Sequence, residues 1–100
     1  MVTKVSEITA DSVINYMRYD TSDISAQDKT DIGNYIAIAK TFISDYTGVA
    51  EVNLDNYKSF IIVVYILCQD MYTNKTLYVE KTNLNKVVTT ILDLHSVNLL

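Results

Sequence analysis

The densest apolar stretch of this chain lies just past its middle, and the other hydrophobic positions read as elements packed around it. From Phe60 to Cys68, nine consecutive residues are apolar or aromatic, bounded by Lys58 on one side and Asp70 on the other. A bilayer-spanning helix needs about 20 apolar residues, so this run is too short to cross a membrane. A short apolar run fits either a buried strand or a buried helix. The β-branched residues Ile61, Ile62, Val63, Val64 and Ile66 favour a strand. The continuation at helical spacing to Met71 and Tyr72 favours a helix, and it prevails. The spacing predicts a helix from Tyr57 to Asn74, about 18 residues and roughly 27 Å long. A helix apolar on nearly every side belongs in the middle of a bundle.

Upstream, Ile32, Tyr35, Ile36, Ala39, Phe42, Ile43 and Tyr46 keep a three-and-four spacing without a break. This predicts a long helix over 26–47, with Ser25 as N-cap, Asp28 as its capping-box partner and Gly48 as the left-handed stop. Gly33 inside it costs about 1 kcal/mol relative to Ala and suggests a close helix–helix approach. Residues 1–8 read as a short lead-in. Thr9 is positioned to cap a first helix that ends near Tyr19, with Val13, Ile14 and Met17 as its stripe and Arg18 in its last turn. Val49 to Asn53 is a connection, with Asn53 or Asp55 as cap of the central helix and Asn74 as its C-cap.

Beyond Asn74 the pattern changes. Leu77 and Val79 alternate with Tyr78 and Glu80, which fits an extended arm. Asn83 is a cap candidate for a last helix from Leu84 to about Leu94, with Leu84, Val87, Val88, Ile91 and Leu92 on its apolar side. An apolar tail, Ser96 to Leu100, follows. The chain has no proline and two glycines, Gly33 and Gly48, which suits helices better than a many-turned β architecture. The expectation is an all-α single domain over residues 1–100. It is a compact bundle of four helices, two long and two short, with an extended arm before the last.

Composition narrows the chemistry. The net charge is −4, with one arginine, Arg18, and scattered lysines. Nucleic-acid affinity rests on clustered basic side chains, so specific DNA or RNA binding is not expected. Cys68 is the only cysteine and His95 the only histidine, so neither an internal disulfide nor a His-pair metal site is available. Cys68 lies among apolar neighbours and reads as a small core residue. Asp20, Asp23 and Asp28 lack the spacing, the glycine and the terminal glutamate of a calcium loop. There is no phosphate-binding glycine loop. Neither an enzyme, a cofactor nor a metal site is expected. No secretory leader is recognisable at the start, so the chain reads as intracellular.

Eight tyrosines are many for 100 residues. Tyr35, Tyr46 and Tyr65 fall at core spacing; Tyr16, Tyr19, Tyr57, Tyr72 and Tyr78 suit a core rim. Tyrosine is also enriched at interfaces. The arm residues Tyr78, Val79, Glu80 and Lys81, and Val97, Leu99 and Leu100 in the tail, are therefore the candidate protein-contact residues.

Three helix ends carry a family resemblance. The first helix closes in Tyr16-Met17-Arg18-Tyr19-Asp20, the second in Ile43-Ser44-Asp45-Tyr46-Thr47-Gly48, and the third in Met71-Tyr72-Thr73-Asn74-Lys75. In this order and spacing the chain resembles the small head–tail connector proteins of tailed bacteriophages, also called adaptor or head-completion proteins. Lys75 stands where that family usually has arginine, and the proline common before the last helix is missing. The resemblance implies a subunit of the virion at the head–tail interface, present in the host cytoplasm before assembly. It would dock on the portal protein, join a ring, commonly of twelve copies, that extends the DNA channel, and meet the next connector or tail-completion protein. An acidic ring would let DNA slide past it. The alternative expectation is a small helical phage or prophage regulatory protein that binds one host protein.

Overall fold

The computed structural model describes residues 2–79 and 84–96, Thr21 without its side chain. Within them the chain forms four α-helices: α1 (Ala10–Tyr16), α2 (Ala26–Thr47), α3 (Ser59–Asn74) and α4 (Lys86–Leu94). Short 3-10 turns occupy Val5–Glu7, Thr21–Asp23 and Glu51–Asn56. Among the described residues there is no strand. The all-α bundle with two long and two short helices is the one the apolar spacing predicts.

α2 keeps its expected bounds because both ends are chemically defined. The Ser25 hydroxyl accepts the Asp28 amide at 3.1 Å, filling one orphan donor of the first turn. At the other end Gly48 adopts φ 78°, and its amide reaches the Ser44 carbonyl. Thr47, the one buried polar residue among those described, donates its hydroxyl to the Ile43 carbonyl at 2.7 Å. The same oxygen accepts the Val49 amide at 3.2 Å. A Thr-Gly pair thus closes the helix with the buried Thr47 hydroxyl both donating and accepting. Gly33, by contrast, is exposed, and a Cβ built there would meet nothing within 4 Å. It serves no close approach between helices.

α3, like α2, packs on four other elements: α1, α2, α4 and the turn at Val5–Glu7. Phe60, Val63, Val64, Leu67, Cys68 and Met71 are buried, following the three-and-four spacing of one face. Burying each large side chain of this kind contributes about 1.5–3 kcal/mol before entropy is charged against it. Ile61, Ile62, Tyr65 and Ile66 are half-buried, so one flank of α3 approaches the surface. The helix begins two residues later than the spacing predicts. Neither Asn53 nor Asp55 caps it: Lys58 precedes it with no side-chain cap. Asp55 instead accepts the Ser6 amide at 2.7 Å, which ties the turn at 51–56 to the N-terminal turn.

That tie corrects the reading of residues 1–8 as a mere lead-in. Val5 and Ile8 are buried in the core, as is Leu54 of the turn at 51–56. α1 is capped by Thr9 as expected: its hydroxyl accepts the Ser12 amide at 3.2 Å, and the Ser12 hydroxyl accepts the Thr9 amide at 2.9 Å. The helix stops at Tyr16, however, and Arg18 lies beyond it at φ 66° in the left-handed region. α3 ends the same way, at Asn74, with Lys75 at φ 56°. The left-handed residue is therefore Lys75, not Asn74. In both places the next amide bonds five residues back, Tyr19 to Ile14 at 3.2 Å and Thr76 to Met71 at 3.1 Å, as in a Schellman stop. α4 is capped by Asn85, whose Oδ1 accepts the Val87 amide at 2.8 Å. α4 therefore begins at Lys86, two residues later than the expected start at Leu84, and the expected cap, Asn83, lies outside the described residues.

Candidate interaction surface

Two ends of the bundle and the arm between them gather the polar and aromatic side chains. At one end the closing residues of α1 and α3 meet. Tyr16 stacks on Tyr65 with ring centroids 4.9 Å apart and planes 18° from parallel. Tyr19 tilts against Tyr72 at 6.1 Å, and the Lys75 ammonium sits 4.4 Å from the centre of the Tyr72 ring, within cation–π range. The Tyr72 hydroxyl points to Asp28 Oδ2 at 3.5 Å, at the long limit for a hydrogen bond. Burial, then the nearby Asp28 charge, pushes the Tyr72 phenol upward. Asp20 turns the chain here by accepting the Ser22 amide at 3.0 Å and hydroxyl at 2.9 Å. The Ser22 amide bond, chiefly, holds the Asp20 carboxyl below its usual range. Tyr-Met-Arg-Tyr-Asp and Met-Tyr-Thr-Asn-Lys, distant in sequence, thus form one aromatic corner.

At the opposite end α2, α3 and α4 converge. The Tyr46 hydroxyl donates to Asp93 Oδ1 at 2.7 Å, and that bond is the main reason its phenol is raised. His95, just past α4, packs against Tyr57 (4.9 Å) and edge-on to Phe60 (5.3 Å). Its Nε2 lies 3.2 Å from Ser59 Oγ. The sequence shows no partner for His95, because 36 positions separate it from Ser59. The only hint is the i, i+3 pairing of Tyr57 and Phe60. Ser59 and His95 are adjacent, but among the described residues no carboxylate hydrogen bonds to the imidazole to complete a nucleophile triad. Cys68 is fully buried, and burial pushes its thiol up to about 12, away from nucleophilic character. Among the described residues no group of three or more His, Cys, Asp or Glu side chains could hold a metal ion.

The arm lies between these ends. Val79 packs against the core, whereas Leu77 and Tyr78 are 65% and 56% exposed. The expected alternation, with Leu77 and Val79 on one side, does not occur because the chain bends at Leu77–Tyr78. One groove of about 370 Å³ separates the arm from the end of α3 and includes Asp70, Met71 and Leu84. Burial raises the Asp70 carboxyl there. A second, of about 380 Å³, runs between the arm and the Ile38, Thr41 and Phe42 side of α2. Tyr78 and Val79 border both. Glu80 and Lys81 of the arm, and Val97, Leu99 and Leu100 of the tail, lie outside the described residues.

α4 carries a surface the apolar pattern does not separate from the core. Of its expected apolar side, Val88 and Leu92 are fully buried, and Leu84 and Ile91 half-buried. Val87 is 50% and Leu94 76% exposed. No helix among the described residues is long and apolar enough to cross a membrane. Comparison with protein-family models, curated proteins and solved structures found no match to this chain.

Proposed function

We propose that this chain is a structural connector of a tailed-phage virion, working through protein–protein contact. The observation that carries this reading is the arm. Leu77 and Tyr78 stand in solvent while Val79 anchors the segment to the core. Exposed apolar and tyrosyl side chains on an anchored segment suit docking by partner contact, since the fold does not use them. The likeness of the three helix closures to those of head–tail connectors supports the same conclusion. In this reading the portal protein at the head vertex is the first partner. A ring of copies, commonly twelve in the connector family the chain resembles, extends the DNA channel and presents a platform to the next connector or tail-completion protein. Glu80, Lys81 and the tail residues Val97, Leu99 and Leu100 belong to the same contact set.

Native mass spectrometry of the full chain, alone and mixed with portal protein from the same genome, tests this. Loading onto the portal in a fixed multiple is the expected result. The variant Leu77→Ser/Tyr78→Ser, which alters only exposed side chains, should load at least tenfold more weakly while keeping its helical circular dichroism. A chain that ignores an intact portal and is missing from purified virions overturns the connector assignment in favour of a small regulator of one host protein.

A further inference from the structure

The outward side of α4 is a self-complementary strip. At 100° per residue, Val87, Ile91 and Leu94 fall within about 60° of one another around the helix. They form a stripe beside the buried pair Val88 and Leu92, and Val87 and Leu94 are the most exposed members. Lys86 and Asp93, both exposed, lie about 20° apart on a single flank of that stripe. Lys86 is the first residue of α4 and Asp93 belongs to its last turn. Each charge is therefore at the wrong end for its own helix dipole, which favours acids at the N-terminus and bases at the C-terminus.

We propose that α4 docks against α4 of a second copy of this chain, antiparallel and about a two-fold axis near Thr90 and Ile91. The charge pattern selects this occupant. In an antiparallel pair the same flanks of the two helices face each other. Lys86 of one copy then lies beside the C-terminal turn and Asp93 of the other, and the reverse holds at the opposite end. Both misplaced charges gain an opposite partner and a favourable dipole. In the same register Val87 meets Leu94 and Ile91 meets the Thr90–Ile91 step, so each apolar stripe covers the other. A parallel arrangement would instead turn the flank carrying Lys86 and Asp93 toward the opposite flank of the partner helix, where neither charge meets an opposite one. Tyr46 already holds Asp93 in place through Oδ1, so this carboxylate needs little further ordering to pair. The contact is isologous and closes at two copies. The inference does not rest on the connector reading, which concerns a ring and uses the arm.

A nine-residue helix offers a small interface, so the expected association is weak, with a dissociation constant on the order of 10⁻⁴ M. Sedimentation equilibrium of the full chain from micromolar to millimolar concentration reads it directly. The expected result is a reversible monomer–dimer equilibrium. Leu94→Ser should weaken it at least tenfold, and Lys86→Glu should do so with the salt dependence reversed, because a carboxylate at position 86 repels Asp93 of the other copy. Both substitutions are at exposed positions, and unchanged circular dichroism and thermal midpoint confirm the fold. A chain ending at Ser96 should dimerise as the full chain does. A chain that stays monomeric at 1 mM overturns the proposal. So does a dimer indifferent to Leu94→Ser and Lys86→Glu, or one lost on removing residues 97–100.

Discussion

Arg18 and Lys75 occupy a backbone conformation that usually belongs to glycine, and replacing them should separate backbone strain from side-chain gain. A left-handed conformation costs an L-residue about 1–2 kcal/mol. Glycine removes that cost but loses more chain entropy on folding, about 0.4–1 kcal/mol. The net expectation for Arg18→Gly is a gain of about 0.5–1 kcal/mol, since no hydrogen bond or ion pair engages the Arg18 side chain among the described residues. Lys75 differs. Its ammonium sits 4.4 Å from the Tyr72 ring centre, a contact worth about 0.5–1 kcal/mol at an exposed site. Lys75→Gly should therefore leave stability nearly unchanged. Urea unfolding followed by circular dichroism resolves the two, with Arg18→Gly raising the midpoint by roughly 0.3–1 M at constant slope. In a Tyr72→Leu background the cation–π contact is already gone, so Lys75→Gly should become as stabilising as Arg18→Gly. If Arg18→Gly destabilises, or if Tyr72→Leu does not change the effect of Lys75→Gly, the strain-and-compensation account is wrong.

Gly33→Ala should stabilise the protein by about 1 kcal/mol, because the added methyl meets nothing within 4 Å and the helix loses its weakest former; thermal melting should rise by roughly 4–8 °C. Cys68 should react with thiol reagents at pH 8 only as fast as the protein unfolds, and a reaction rate equal to that of a free thiol would contradict its burial. Its folded pKa, about 12, lies above the unfolded value of about 8.5, so the folded state holds this proton more tightly. The associated stability is complete below pH 8.5 and declines as pH rises toward 12, by up to about 1.4 kcal/mol per unit. Cys68→Ala should remove that part of the alkaline decline, and an unaltered stability–pH curve would show that the thiol does not contribute.

The helices themselves were legible in the chain because their signals are local. The α2 stripe, the Ser25 cap and the Thr47-Gly48 stop each act within one or two turns, and the predicted bounds of α2 match the observed ones. Caps chosen among several polar candidates were less legible. Asn53 and Asp55 are both good N-cap types, yet the Ser6 amide claims Asp55 from 49 positions away. The Arg18 and Lys75 stops were obscured for a related reason: left-handed geometry at a non-glycine residue carries no compositional mark.

What the sequence by itself determined was the number and approximate extent of the α-helices, and the burial of one face of α3. Apolar periodicity and capping chemistry are properties of neighbouring residues, so they survive without a tertiary fold. Only the tertiary structure decided which faces stay in solvent and which distant side chains meet. Val87 and Val88 are adjacent and nearly identical in chemistry, yet one is 50% exposed and the other fully buried. The pairing of Tyr46 with Asp93, the nest around His95 and the aromatic corner of Tyr19, Tyr72 and Lys75 likewise depend on how helices cross. Crossing is set by the packing of whole helix surfaces, which no short stretch of the chain contains.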